Sequence, residues 1–247
     1  MFLEVFFMWL DRWLLRHAFL LPMGLLLIAS TAGSVTFSDA TFDDANWSGV
    51  KVFDSTAGSA ATFASGQVAT GGHPDAYRQV EHTYGPGGIG VRHLNGLAVY
   101  DPSSMGAIAS VDYAFDAIHL NPPPAQAVAF NIALEQGGST YISSSFNAFE
   151  AIWTSTGQTG LLASDFTLYA GAGPTNPDFS ASGAPITAGY VTRNTNSGGA
   201  PSISRTAGID NWSVTFNVVP EPTTAVLLGL GLAGLSSRSR RRRSVIR

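Results

Sequence analysis

The segment Trp212-Ser213-Val214-Thr215-Phe216-Asn217-Val218 decides the fold class. Large apolar side chains take every second position, and small polar ones lie between them. A period of two puts Trp212, Val214, Phe216 and Val218 on one side of a strand, with Ser213, Thr215 and Asn217 on the other. The pattern recurs at Gln126 to Glu135, where Val128, Phe130, Ile132 and Leu134 oppose Ala129, Asn131, Ala133 and Glu135. It recurs again at Ser110 to Asp116, with Val111, Tyr113 and Phe115 against Ser110, Asp112 and Asp116. Each segment predicts a strand with one buried face, as in antiparallel sheets.

Less regular alternation marks Gly49 to Asp54, Ala60 to Ala69, Tyr77 to Tyr84, Ile89 to Tyr100, Thr140 to Phe146, Phe149 to Thr154, Phe166 to Ala170 and Ile186 to Arg193. Loop signals separate them at Gly71-Gly72-His73-Pro74, Asn121 to Pro124, Gly171 to Pro177 and Asn194 to Pro201. Helical periodicity is missing, and Leu161 to Asp165 suits one short helical turn. Many strands and almost no helix predict an all-β protein, an antiparallel β-sandwich of the jelly-roll kind.

Length and charge bound the rest. The 247 residues divide into a leader (1–32), a body (33–219) and a tail (220–247). Of 17 acidic residues, Glu4, Asp11 and Glu221 lie in the two ends, leaving 14 in the body; of 13 basic residues, eight lie in the ends, leaving five. The body thus carries a net charge of −9, against −4 for the chain. Such a body repels nucleic acid and suits cations such as Ca²⁺. The chain has no cysteine, which excludes thiol catalysis, disulfides and cysteine zinc sites.

The leader has Arg12, Arg16 and His17 before an apolar run, Ala18 to Ala29, and then the small residues Ser30-Thr31-Ala32. This reads as an N-terminal signal helix cleaved by signal peptidase after Ala32; a true transmembrane helix is the alternative. Met8 offers a second start position. In the tail, Thr223 to Leu235 are thirteen uncharged residues. As a helix they reach about 20 Å, and Ser236 and Ser237 extend them toward the roughly 30 Å of a membrane's hydrocarbon core. A transmembrane helix is expected at 223–237, followed by a cytoplasmic arginine tail at 238–247. Arg238, Arg240, Arg241, Arg242 and Arg243 stop transfer, which places the body across the membrane from them. A permanent C-terminal anchor would read the same way.

Pro220-Glu221-Pro222, the short apolar helix and the arginine-rich end together resemble the PEP-CTERM sorting signal of exported Gram-negative proteins. The resemblance runs from Pro220 to about Arg243. It implies that Pro220, Glu221 and Pro222 are recognised by a membrane exosortase, that cleavage occurs nearby, and that the product reaches the cell surface or extracellular matrix. In the body, TFDDANW (Thr41 to Trp47), YRQVEHTYG (Tyr77 to Gly85) and GIDNWSVTF (Gly208 to Phe216) resemble secreted sandwiches of the concanavalin and laminin-G kind. That resemblance implies a closing strand at the last phrase and a structural Ca²⁺ near Asp210.

The residues suggest few chemical sites. Asp39, Asp43 and Asp44 lie near the start of the body and Asp210 near its end. Adjacent first and last strands would let Asp39, Asp43 and Asp210 hold Ca²⁺ through hard carboxylate oxygens; turn and capping roles are the alternative. Gly85-Pro86-Gly87-Gly88-Ile89-Gly90 matches G-x-G-x-x-G in letters only, because strand-like alternation follows it where phosphate binding needs a helix. His73, His82, His93 and His119 lack metal-ligand spacing. Glu135 and Glu150 would serve a glycosidase only at about 5–9 Å separation in a cleft. Three functions remain: a structural or adhesive exported protein without enzymatic activity, a carbohydrate-binding module for matrix polysaccharide, and a glycoside-active enzyme. Two or more exposed aromatics on one concave face would favour the second, and paired carboxyls in a cleft the third.

Overall fold

A computed structural model describes residues 33–220 apart from 59, 122–126 and 149. The expected signal helix (1–32), Glu221, Pro222, the helix at 223–237 and the arginine tail lie outside the described residues. Pro220 is described and exposed, two residues past the last strand.

Twelve strands form two antiparallel sheets among the described residues. The strands are β1 (Ser34–Asp39), β2 (Trp47–Asp54), β3 (Thr62–Gly72), β4 (Asp75–Tyr84), β5 (Gly87–Tyr100) and β6 (Ile108–His119). They continue with β7 (Val128–Gln136), β8 (Ser139–Ala148), β9 (Thr154–Leu161), β10 (Thr167–Ala170), β11 (Ile186–Asn196) and β12 (Ile203–Val218). One sheet runs β3-β4-β12-β6-β9, with β1 also beside β12. The other runs β10-β8-β7-β11-β5-β2. The protein is an all-β antiparallel sandwich, as the alternation predicted.

β12 organises the first sheet. Its first half, Ile203 to Ile209, pairs with β4; its second half, Trp212 to Asn217, pairs with β1. The change of partner falls at a bulge between Asp210 and Ser213, where Asn211 has φ near 50°. Alternation marked only the apolar half from Trp212 onward, and the resemblance extended the strand back to Gly208; Arg205, Thr206 and Asp210 interrupt the alternation earlier. Pairing with β4 and β6 holds that polar half in the sheet nonetheless.

Two other strands depart from expectation. Of the strand expected at Phe149 to Thr154, residues 150–153 are not in a strand; the strand begins at Thr154 and runs to Leu161. Its side chains are mostly exposed, so pairing with β6, and no buried face, holds it. The first strand, Ser34–Asp39, adds Val35 and Phe37 to the core edge. The expected helical turn occurs as a 3-10 turn at Ala163–Asp165.

The sheets meet along an aromatic seam. Trp212 stands edge-on to Trp47 at 5.2 Å between centroids, and Trp47 lies 5.4 Å from Tyr190. Tyr100 stacks on Phe216 at 4.7 Å, and Phe115 lies 5.8 Å from Phe130. Each pair joins strands from different sheets except Trp47–Tyr190. Such contacts add directional stabilisation to the burial of large apolar surface.

A polar chain crosses the same interior. Asn194 Nδ2 donates to the Ala127 carbonyl at 2.8 Å, which turns its Oδ1 toward His82 Nδ1 at 2.7 Å. His82 Nδ1 is therefore the donor, and neutral His82 accepts at Nε2 from the Thr192 hydroxyl at 3.0 Å. That hydroxyl has one hydrogen, so His93 Nε2 donates to Thr192 Oγ1 at 3.2 Å. Burial pushes the His82 pKa down to about 4, against the opposing effect of its hydrogen bond to Asn194. Burial also holds His93 well below the ordinary value, helped by Arg78 and His82.

Both histidines bind protons more readily in the unfolded chain, whose imidazoles titrate near 6.5. Stability from this chain is thus complete above about pH 6.5 and is lost progressively as pH falls toward 4. Urea midpoints measured from pH 7.5 to 4.5 should fall across that window, and a flat profile would contradict neutral buried histidines.

Candidate functional site on the curled sheet

The carboxylates singled out in the sequence serve separate local roles. Asp39 Oδ1 accepts from the Thr41 and Phe42 amides at 2.8 Å and from the Thr41 hydroxyl at 2.9 Å. Its Oδ2 accepts from Trp47 Nε1 at 2.8 Å. Burial alone would raise its pKa; the bonds from Trp47, Phe42 and Thr41 outweigh that and lower it. Asp43 caps the 3-10 turn Asp44–Asn46 through the Ala45 amide at 3.0 Å. Asp44 pairs with Arg78 at 2.6 Å.

Asp210 is fully buried and accepts from the His73 amide at 2.5 Å and the Asn211 amide at 2.7 Å. Burial raises its pKa, with its cross-strand partner Asp116 adding to the effect. Asp116 in turn accepts from Asn211 Nδ2 at 2.8 Å and contacts His73 Nδ1 at 2.9 Å. This group clasps the β3–β4 turn onto β12. The first and last strands do lie side by side, with Asp39 opposite Trp212. Even so, Asp39, Asp43 and Asp210 turn to different donors, and among the described residues no group of three His, Asp or Glu side chains is arranged to hold a metal ion.

Glu135 and Glu150 are far apart. Glu135 lies near the β7–β8 turn, opposite Thr140, while Glu150 lies beyond the pairing of Val128 with Ala148 at the other end. At about 3.4 Å per residue the hairpin separates them by more than about 20 Å. That exceeds the glycosidase range several-fold.

The other sheet supplies a different kind of site. Its core-facing residues are Phe130, Ile132 and Leu134 on β7 and Ile186, Ala188 and Tyr190 on β11. The residues between them face outward, and many are small: Gly88 and Gly90 on β5, Ala129 and Ala133 on β7. Tyr169 from edge strand β10 packs over Ala133, Ile142 and Val191. Its hydroxyl lies over Gly90, where a Cβ would come within 1.9 Å of it. Phe53 from the opposite edge strand, β2, lies over Gly88 and Gly90.

The rings of Phe53 and Tyr169 are 6.3 Å apart. In a flat sheet of six strands, the two edges would stand about 24 Å apart. The sheet is therefore curled strongly toward its outer face, and two aromatic rings from its two edges bridge the concavity.

Beside this bridge is a cleft of about 470 Å³, within the usual size range for small-molecule sites. Phe53 and Tyr169 form its aromatic wall and Ala129 part of its apolar lining; Arg193, Asn147 and Thr195 provide polar groups. Phe53 is 45% exposed, unusual for a phenylalanine in a sheet. The Arg193 guanidinium lies 5.8 Å over the Tyr169 ring. Burial raises the Tyr169 pKa, with Arg193 opposing, so the phenol stays protonated at neutral pH. The cleft offers flat apolar surface next to hydrogen-bond donors.

Sequence reasoning did not single out Phe53, Tyr169 or Arg193 as site residues. Arg193 was findable, since it is out of phase with Ile186, Ala188 and Tyr190 on its strand. Phe53 was not, because a bulge between Lys51 and Phe53 reverses its side.

The tail, too, has a match. The chain carries a PEP-CTERM protein-sorting motif at residues 218–242. The motif implies that the chain is exported, and the body that precedes it is a β-sandwich. No curated protein matches the chain in sequence. Among solved structures, the chain is similar to a family 11 carbohydrate-binding module from Clostridium thermocellum in complex with a β-1,3-1,4-mixed-linked tetrasaccharide. Identity there is 15%, coverage is 78% of this chain and 100% of that one, and the TM-score is 0.47. It is also similar to a family 22 xylan-binding domain from Paenibacillus barcinonensis, at 9% identity, with 77% and 99% coverage and a TM-score of 0.39.

The Tyr169–Gly90 contact yields a double-mutant test. Gly90→Val should displace the Tyr169 ring and cost about 1–2 kcal/mol in urea unfolding. Combined with Tyr169→Ala, it should cost clearly less than the sum of the two single changes. Simple additivity would mean that the tyrosine does not lie over the glycine.

Proposed function

We propose that the protein is an exported glycan-binding module without catalytic activity, which binds polysaccharide in the cleft of its curled sheet. The observation that carries this reading is the Phe53–Tyr169 pair, two partly exposed rings bridging a concave face beside a cleft with polar donors. Sugar rings have apolar faces that pack on aromatic rings, and hydroxyl edges that meet Asn, Thr and Arg groups. The large separation of Glu135 from Glu150 supports binding over hydrolysis.

The sorting motif supports the destination. An exosortase recognises Pro220, Glu221 and Pro222, the apolar segment after them holds the precursor in the membrane, and the body is delivered to the surface or matrix of a Gram-negative cell. A matrix protein that binds polysaccharide acts as an adhesive, so the structural and glycan-binding roles coincide here.

Affinity electrophoresis of the full chain in detergent, through gels containing a panel of polysaccharides, tests the reading. At least one polymer should retard the protein. Phe53→Ala and Tyr169→Ala should each weaken that retardation about fivefold to tenfold, the value of one aromatic contact. Retardation unchanged in both variants would move the binding site elsewhere, and no retardation by any polymer would reject the function.

A further inference from the structure

Arg193 sets the cleft apart from the rest of the body. The body's five basic residues face 14 acidic ones. Three of the five have carboxylate partners: Lys51 with Asp54 at 2.5 Å, Arg78 with Asp44 at 2.6 Å and Arg92 with Glu135 at 3.9 Å. Arg205, on β12 of the other sheet, has no carboxylate partner among the described residues; it donates to the Ser204 carbonyl at 2.7 Å and does not line the cleft. Arg193 has no carboxylate within ion-pair distance among the described residues. Its Nε is buried without a hydrogen-bond partner there. The described residues lining the cleft include no Asp or Glu.

Withdrawing a guanidinium from water without a counter-charge is unfavourable. A protein with 14 carboxylates in its body has ample material to supply one, yet none faces this arginine. The cleft is a local positive site on an acidic body. The guanidinium carbon lies 5.8 Å from the centre of the Tyr169 ring, within cation–π range, and its two amino groups can form paired hydrogen bonds to an oxyanion.

We infer that the cleft selects anionic sugar residues, with Arg193 pairing with the carboxylate or sulfate group of the sugar while Phe53 packs against its ring. This deepens the glycan-binding reading and rests on it. The acidic body repels an anionic polymer at long range, so recognition is confined to the cleft, and affinity depends on this one short-range pair.

The test is calorimetric titration of the full chain in detergent with three oligosaccharides of equal length: an oligogalacturonate, a sulfated galactan and a neutral galactan. One or both anionic probes should bind more tightly than the neutral one, and the tighter of the two identifies the anionic group. Arg193→Gln should lower anionic affinity about tenfold to hundredfold, the value of a charge-assisted hydrogen bond, and lower neutral affinity far less, by no more than one neutral hydrogen bond. Arg193→Lys keeps the charge but loses the planar fork, so its affinity should fall between the two; it also serves if the glutamine variant fails to fold.

If the neutral probe binds as tightly as both anionic ones, or if Arg193→Gln leaves anionic affinity intact, the inference is wrong while glycan binding stands. If none of the three binds and no polysaccharide retards the protein, the underlying function itself is rejected.

Discussion

The curl of the six-stranded sheet depends on small residues at its centre. Gly88, Gly90, Ala129 and Ala133 leave the outer face low enough for rings from both edges to lie across it. Tyr169 comes so close to Gly90 that no side chain fits between them. The same small floor creates the volume of the cleft. A sheet with bulky outward residues at these positions would be held flatter, and its edge aromatics would point separately into solvent. The proposed binding surface is thus a consequence of strand curvature, set by side-chain size on the face away from the core.

The core supports that face from below. Asn194 and Ala127 both border the cleft, and both belong to the buried chain that runs through His82, Thr192 and His93. This chain joins β4 of one sheet to β5 and β11 of the other with directed hydrogen bonds. Tyr190 stacks on His93 at 4.6 Å, and Trp47 joins Tyr190 to Trp212. Aromatic packing sets the spacing of the sheets, whereas the histidine chain fixes how β11 and the start of β7 lie relative to β4. With no cysteine in the chain, these contacts do the work that disulfides do in many exported domains.

Much of this was legible in the sequence. Alternation at Val128–Leu134 and Trp212–Val218 identified strands and their buried faces correctly, because one-sided burial imposes a period of two. The tail was legible because its signal is linear: three residues, an apolar run and a basic end. What escaped detection depended on tertiary pairing. β9 has almost no apolar pattern and is held by backbone bonds to β6. The polar half of β12 is a strand only because neighbours on both sides hold it. Phe53 changes side at a bulge that no residue announces. The aspartates were read as a group because β1 and β12 are neighbours, which is true, but their carboxylates turn toward nearby backbone amides and Trp47. Short polar side chains satisfy local donors first, and strand adjacency alone does not gather them.

The central claim is that ligand binds on the curled face beside Phe53 and Tyr169. The most direct measurement is backbone amide NMR of the full chain in micelles, titrated with whichever oligosaccharide binds. The account predicts that shifts cluster at Phe53, Gly90, Ala129, Asn147, Tyr169 and Arg193, with β3, β9 and the β1 edge unmoved. Shifts centred on the outer face of the β3-β4-β12-β6-β9 sheet, or along β1, would contradict it.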